Sequence, residues 1–316
     1  MALFAMLFPG QGSQYVGMLS SFFKKNNNIF KYTFDEASHY VNHNLLKLIK
    51  EGPKIKLNES SYSQVAILTS SVSIYRFWKN QNGKSPSLIS GHSLGEYSAL
   101  VCSNAIKFSD ALKIVFLRGK IMQKTAMNHP SLMQAIIDID KKKVEKACLI
   151  ASKKKVVSLA SINSNNQIVI SGDKSAVYEA GLHCKKFGAK CILNLNINTP
   201  AHSQLMKPAA EKLKKILQLT TIYSPKIPVI NNVDVKYENN SKNIKNALTR
   251  QIYSTVRWKE IIDLIQNKKI FIMLEVGPSQ ILTNLNKKNK KIISLSTNNL
   301  KNFLEAFQKI NKGNHE

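Results

Sequence analysis

Gly91-His92-Ser93-Leu94-Gly95 constrains this chain more than any other stretch. It fits G-x-S-x-G, the pattern that holds a serine on a sharp turn between a strand and a helix. A side chain at either flanking glycine would meet neighbouring backbone as the chain reverses around the strained serine. The surroundings agree with such a turn. Ser87-Leu88-Ile89-Ser90 reads as a short buried strand after the Gly83-Lys84-Ser85-Pro86 break, and Glu96-Tyr97-Ser98-Ala99-Leu100-Val101 opens a helix. The first N–H groups of that helix point back toward the serine.

Around this turn the pattern alternates between strand and helix. Residues 3–8 read as a strand ending at Pro9-Gly10-Gln11-Gly12, a tight loop before a helix. Residues 60–79 are helical, with Val65, Leu68, Val72 and Tyr75 at three- and four-residue spacing. Residues 109–126 form a second amphipathic helix that contains Arg118, with Leu112, Val115 and Ile121 on its buried side. From about residue 128 the rhythm changes. Strands at 132–139, 156–162, 167–171 and 190–196 and helices at 141–151 and 174–187 give the order βαββαβ, which is a ferredoxin-like unit. The larger pattern then resumes, with a helix at 203–217, a strand at 227–231, a helix at 242–264 and a strand at 270–276. Gly277-Pro278-Ser279 breaks the chain before a last helix. The expected fold is α/β, with a mostly parallel, covered sheet interrupted by a small inserted subdomain. The expected division is residues 1–127 with 198–316 for the core, and 128–197 for the insertion.

Composition narrows the class. The chain has 316 residues, 43% of them hydrophobic, enough for one large domain or two of unequal size. No apolar run approaches the roughly 20 residues that span a bilayer. The apolar opening at Met1 to Phe8 lacks a basic flank and reads as a buried strand, not a signal peptide. Four cysteines without C-x-x-C spacing (Cys102, Cys148, Cys184, Cys191) suit free thiols in a reducing cytoplasm, and the seven scattered histidines show no metal-ligand spacing. The net charge is +27, from 46 Lys+Arg against 19 Asp+Glu. Such a charge attracts nucleic acid, an anionic membrane surface or an acidic protein. Tracts such as Lys24-Lys25-Asn26-Asn27-Asn28 and Asn286-Lys287-Lys288-Asn289-Lys290-Lys291 also fit compositional drift toward Lys, Asn and Ile. The lysines lack the interleaved aromatics of a nucleic-acid groove.

A nucleophilic serine needs a base. His202, in the loop Thr199-Pro200-Ala201-His202-Ser203, is the candidate. His92 adjoins Ser93, but neighbours at such a turn diverge, so it reads as packing or ligand-facing. His39, His43, His129, His183 and His315 have polar contexts that suit solvated surface. For an oxyanion hole, the N–H of Leu94 and that of Gln11 in the early glycine-rich loop are placed as the pattern requires. The glycines of that loop match neither G-x-G-x-x-G nor a P-loop. Arg118 is one of four arginines, with Arg76, Arg250 and Arg257, in a chain that otherwise chooses lysine. A planar fork suits either a carboxylate ligand or a structural salt bridge.

With these motifs assembled, the chain resembles the malonyl-CoA:acyl-carrier-protein transacylase family from residue 3 to about 290. The resemblance lies in Phe8-Pro9-Gly10-Gln11-Gly12-Ser13-Gln14, Gly91 to Tyr97, Arg118-Gly119-Lys120 with Gln123, Pro200-Ala201-His202-Ser203, Leu205-Met206-Lys207-Pro208 and Glu275-Val276-Gly277-Pro278. It implies an α/β-hydrolase-like parallel-sheet core with an inserted ferredoxin-like subdomain. It implies Ser93 as acylated nucleophile, His202 as base and acid, Gln11 and Leu94 as oxyanion hole, and Arg118 as partner of the malonyl carboxylate. Gln251 matches the residue whose main-chain carbonyl orients the histidine, and Asn163 matches a family asparagine. The implied substrates are malonyl-CoA and acidic, phosphopantetheinylated acyl carrier protein, with no metal or bound cofactor, no nucleic acid and no membrane, in a monomer of the cytoplasm. The nearest rival reading is the same fold with another acyl group, discriminated by Arg118. A serine esterase, expected to show an acidic third member, and a basic nucleic-acid binder are the others. The chain departs from the family at Ser131-Leu132-Met133-Gln134-Ala135, at Ser161 and at Ser254-Thr255, none expected to touch the catalytic set.

Overall fold

The computed structural model describes residues 3–23, 28–127, 130–153, 155–197 and 199–312. Met1, Ala2, the tract Lys24–Asn27, His129 and His315 lie outside the described residues. In chain order the strands are β1 (Phe4–Phe8), β2 (Leu88–Gly91), β3 (Ser131–Ile137), β4 (Val157–Ser164), β5 (Gln167–Asp173), β6 (Cys191–Asn194), β7 (Val229–Ile230), β8 (Ile272–Glu275) and β9 (Ile293–Ser296). Helices α1 (Ser20–Phe23), α2 (Asn28–Val41), α3 (Leu45–Glu51), α4 (Lys54–Leu57) and α5 (Ser60–Asn80) follow β1. Then come α6 (Gly95–Cys102) and α7 (Phe108–Ala126), with α8 (Lys141–Ala151) and α9 (Lys174–Lys186) between β3 and β6. The chain ends through α10 (Lys207–Leu219), α11 (Ser241–Gln251), α12 (Trp258–Asn267), α13 (Ile281–Asn286) and α14 (Leu300–Lys312).

β7-β2-β1-β8-β9 form a parallel sheet, covered on both faces. Strand β1 shows why. Successive side chains of a strand point to opposite faces. Phe4, Met6 and Phe8 join the larger apolar cluster with α2, α5 and α7, while Ala5 and Leu7 join a second one with Trp258, Ile261 and Ile265 of α12. Helix α5 is buried on nearly every side through Ile74, and its interior hydroxyls bond back to its own carbonyls, as Thr69 does to Val65 at 2.8 Å. The sheet β4-β5-β3-β6 is antiparallel throughout, with its own apolar cluster closed by α8 and α9. Its order and connections are ferredoxin-like.

Three differences from the sequence expectation bear on the site. The helix expected over 242–264 is two helices, α11 and α12. Between them Val256 pairs with the edge of β4: its N–H donates to Ala160 O at 2.9 Å, and its carbonyl accepts from the Ile162 N–H at 3.0 Å. That pairing uses backbone groups an uninterrupted helix would have consumed. After Gly277-Pro278-Ser279 the chain forms not one last helix but α13, the edge strand β9 and α14. Helices α2 to α4, absent from the sequence reading, close one end of the larger cluster.

Candidate active site

In a parallel sheet, ligands bind beyond the carboxyl ends of the strands. Here Phe8 lies opposite Gly91 in the register, so the loops leaving β1 and β2 emerge side by side. The serine sits on a tight turn at that edge, with φ of 51°. A Cβ on Gly91 would come within 1.9 Å of Gly95 C, and one on Gly95 within 2.0 Å of Phe8 O. Only glycine permits this approach. Gly10, Gln11, Ser93, Arg118, Asn163 and His202 line one cleft of about 370 Å³ at the junction of the two sheets.

Ser93 Oγ lies 2.8 Å from His202 Nε2. On its other side the imidazole meets acceptors only: Nδ1 is 2.8 Å from Gln251 O and 3.2 Å from Ser254 O. Carbonyls cannot donate, so Nδ1 carries the proton and Nε2 offers a lone pair to the serine hydroxyl. Burial, then the positive charge of Arg118, push the imidazole pKa down to about 3, so the ring is neutral at physiological pH. Two residues predicted from sequence, His202 and Gln251, are thus brought together with Ser93. The Ser254 contact corrects one expectation: this departure from the family does touch the catalytic set, through its main chain.

Arg118 is 2% exposed. Its Nη1 donates to Gln64 Oε1 at 2.8 Å, and its Nη2 to Gln251 Oε1 at 3.3 Å and to Ser93 Oγ at 3.4 Å. The other three arginines all pair with carboxylates: Arg76 with Glu36 at 2.9 Å, Arg250 with Asp234 at 2.9 Å, and Arg257 with Glu260. Among the described residues no carboxylate pairs with Arg118, and its Nε has no hydrogen-bond partner. Burial lowers its pKa, the expected cost of a cation held out of water. The salt-bridge alternative therefore fails, and a buried guanidinium faces the cleft beside Ser93.

The Leu94 and Gln11 N–H groups find no protein acceptor among the described residues. Leu94 follows Ser93 in the chain, and Gln11 lines the same cleft as Ser93. His92 turns aside and meets Asn163 Oδ1 at 2.9 Å, with its ring 5.4 Å from that of Trp258. It lines the cleft without reaching the serine hydroxyl. The departures at Met133 and Ser161 also line the cleft. His39 is exposed, His43 and His183 are half-buried, and none of the three lines the cleft. All four cysteines are free thiols, three of them buried.

Sequence reasoning missed Gln64, Glu96 and Asn232 as parts of the site. Asn232 Oδ1 accepts the Ser93 N–H at 2.7 Å, and Glu96 Oε2 accepts from Gln251 Nε2 at 2.8 Å. Glu96 stood inside the quoted motif, but nothing in spacing pairs it with Gln251. Among the described residues no group of three or more His, Cys, Asp or Glu side chains is arranged to hold a metal ion.

Comparison with known proteins finds similar chains over nearly the whole length. The family described as the acyl transferase domain matches residues 5–315. The chain is 66% identical over 307 residues to the malonyl CoA-acyl carrier protein transacylase of Buchnera aphidicola subsp. Schizaphis graminum, covering 97% of this chain and 99% of that one. It is 45% identical over 288 residues to the protein of the same description from Escherichia coli K12, covering 91% and 93% of the two chains. Among solved structures, a malonyl-transacylase in complex with its type II PKS acyl-carrier protein is similar at a TM-score of 0.95 and 41% identity, covering 98% of this chain and 100% of that one.

Proposed function

The chain belongs to the acyl transferase family, and we propose that its cleft moves a malonyl group from malonyl-CoA to the phosphopantetheine thiol of acyl carrier protein by way of an ester on Ser93, supplying fatty-acid chain elongation. The observation that carries this reading is the buried Arg118 guanidinium, with which no carboxylate pairs among the described residues, 3.4 Å from a serine that is itself 2.8 Å from a neutral histidine. A nucleophile and base suit any acyl transfer. The fixed cation selects an acyl group that ends in a carboxylate.

The steps follow from the atoms. His202 Nε2 takes the Ser93 proton as Oγ attacks the thioester carbon, and the Leu94 and Gln11 N–H groups hold the tetrahedral oxyanion. The C–S bond breaks, and CoA leaves as a thiol with the proton returned by His202. The malonyl ester stays with its free carboxylate on Arg118. The carrier-protein thiol then enters and gives its proton to His202. It attacks the ester, and Ser93 recovers its proton as it leaves. Backbone carbonyls of Gln251 and Ser254, in place of an acidic third member, hold the imidazole tautomer throughout, which disfavours the esterase reading. Water in the acyl-enzyme must be poorly aligned for hydrolysis to be slow. No group beyond the two substrates enters these steps. Residues 1–127 with 198–316 act as the catalytic core and 128–197 as the subdomain that closes the cleft, in a monomer of the cytoplasm.

Incubation with malonyl-CoA followed by intact-mass measurement tests the reading. The wild type gains one malonyl mass and Ser93→Ala none. Arg118→Ala loses malonyl labelling while acetyl labelling from acetyl-CoA holds or improves. A labelled Ser93→Ala protein would overturn the nucleophile, and equal loss of both acyl groups would make Arg118 structural.

A further inference from the structure

We infer that Glu96 is a positioning residue for the reaction: through the Gln251 side chain its buried carboxylate aims the Arg118 guanidinium and pins the Ser93 peptide. The inference rests on the reading of Ser93 and Arg118 given above. Glu96 lies in the first turn of α6 and is 3% exposed. Its Oε2 accepts from the Asn232 N–H at 3.0 Å and from Gln251 Nε2 at 2.8 Å. Those two residues grip Ser93 from both sides. Asn232 Oδ1 accepts the Ser93 N–H at 2.7 Å, and Gln251 Nε2 donates to the Ser93 carbonyl at 2.9 Å. Gln251 reaches two more members of the site, His202 through its main-chain carbonyl at 2.8 Å and Arg118 through Oε1 at 3.3 Å. Glu96 itself touches none of the reacting atoms.

The direction of each hydrogen bond gives Glu96 its importance. Burial raises the Glu96 pKa to about 7, but Oε2 already accepts the main-chain Asn232 N–H. This oxygen therefore faces Gln251 as an acceptor whether or not the other one carries a proton, and the amide there presents its NH2. The Gln251 oxygen is thereby turned to the opposite side, where Arg118 offers only donors. Gln64 Oε1 holds the other arm of the fork at 2.8 Å. Two neutral amide oxygens thus aim the guanidinium and leave its charge for a ligand. A carboxylate placed directly on Arg118 would aim it equally well but would occupy the fork. With Glu96 truncated, the Gln251 NH2 keeps the Ser93 carbonyl as an acceptor but loses its 2.8 Å partner, so the side chain is held less firmly and its oxygen is aimed less well at Arg118.

Self-acylation of the full chain from malonyl-CoA and from acetyl-CoA, followed by mass over time, tests this in the wild type, Glu96→Ala and Glu96→Gln. Glu96→Ala is expected to lower kcat/KM for malonyl-CoA about tenfold or more beyond any loss with acetyl-CoA, mainly in KM. In Glu96→Gln the side-chain carbonyl still accepts from both donors, since the fixed Asn232 N–H demands an oxygen there, so most of the malonyl-over-acetyl ratio returns. The inference is overturned if Glu96→Ala leaves the ratio unchanged, whatever the rates do, or if Glu96→Gln loses the ratio as fully as Glu96→Ala. Should Glu96→Ala not fold, Glu96→Asp withdraws the carboxylate from Gln251, and an unchanged ratio there overturns the inference equally. A wild type that takes no malonyl mass would sink the underlying reading instead.

Discussion

At the scale of single residues, the site is built to keep one imidazole neutral and correctly turned. His202 sits at φ of 61° in a chain reversal, so its side chain leaves the backbone toward Ser93 instead of lying along an element. Burial first, and the Arg118 charge second, depress its pKa to about 3, against the upward pull of the two carbonyl contacts. A group whose folded pKa lies below its unfolded value stays unprotonated as pH falls through 6.5, at the expense of stability, which is lost progressively between 6.5 and the folded value. The base should therefore work without an acid limb near 6.5. A small neutral sulfonyl fluoride needs the base but no carboxylate partner, so its rate of reaction with Ser93 isolates this property. We expect that rate to be level from about pH 5 to about pH 8, the span that brackets an ordinary imidazole. A rate that halves near 6.5 would show an imidazole titrating as if in water.

At the scale of elements, the turn between β2 and α6 depends on how closely backbone meets backbone. The Cβ of an alanine at position 95 would lie 2.0 Å from Phe8 O and 2.9 Å from Pro9 O, so α6 would have to lift off the end of β1. Neither neighbour is the free end of a side chain, and neither can swing away. Overpacking of this kind costs about 3 kcal/mol or more. Gly95→Ala should lower Tm by at least about 5 °C and slow acylation of Ser93, read by thermal melting and by mass labelling. An unchanged melting curve would mean that the turn has room the structure does not show. The break between α11 and α12 works in the same way. The chain leaves helix at Gln251 to pair with β4, and that departure frees the carbonyls of Gln251 and Ser254 to hold His202.

At the scale of the whole molecule, the +27 charge suits the acidic carrier protein that the resemblance implies. Beside the catalytic cleft, and sharing Asn163 and Leu285 with it, lies a basin of about 540 Å³ lined by Lys259, Lys288, Lys290 and Lys291. Lys259 is paired with Asp263 and Lys288 with Asp138, which leaves Lys290 and Lys291 as the lining lysines without an ion pair among the described residues. Electrostatic steering toward a protein partner is screened over a Debye length of ~10 Å at 0.1 M salt. Between about 20 and about 500 mM salt, a range that brackets that screening, transfer to carrier protein should fall more steeply than self-acylation by malonyl-CoA. Replacing Lys290 and Lys291 by glutamate should narrow the gap. Parallel salt curves for the two half-reactions would reduce the lysine excess to compositional drift.

What the sequence by itself determined were features written in neighbouring residues. Gly91 to Gly95 specified the turn and its serine, the βαββαβ rhythm specified the small sheet, and the scarcity of arginine singled out Arg118. His202 was a candidate from its place in a loop and gained its role from motif resemblance, which alone supplied Gln251. Only the tertiary structure decided what Arg118 faces, because the absence of a carboxylate partner among the described residues depends on every segment that packs around α7. It alone split the helix over 242–264, since a pairing with β4, roughly ninety residues earlier in the chain, outweighed local helical periodicity. It alone joined Glu96, Asn232 and Gln251 beneath the serine. Hydrogen bonds from the Glu96 carboxyl to a main-chain N–H 136 positions away and to a side chain 155 positions away leave no trace in local pattern, because their partners are chosen by the fold and not by the neighbouring sequence.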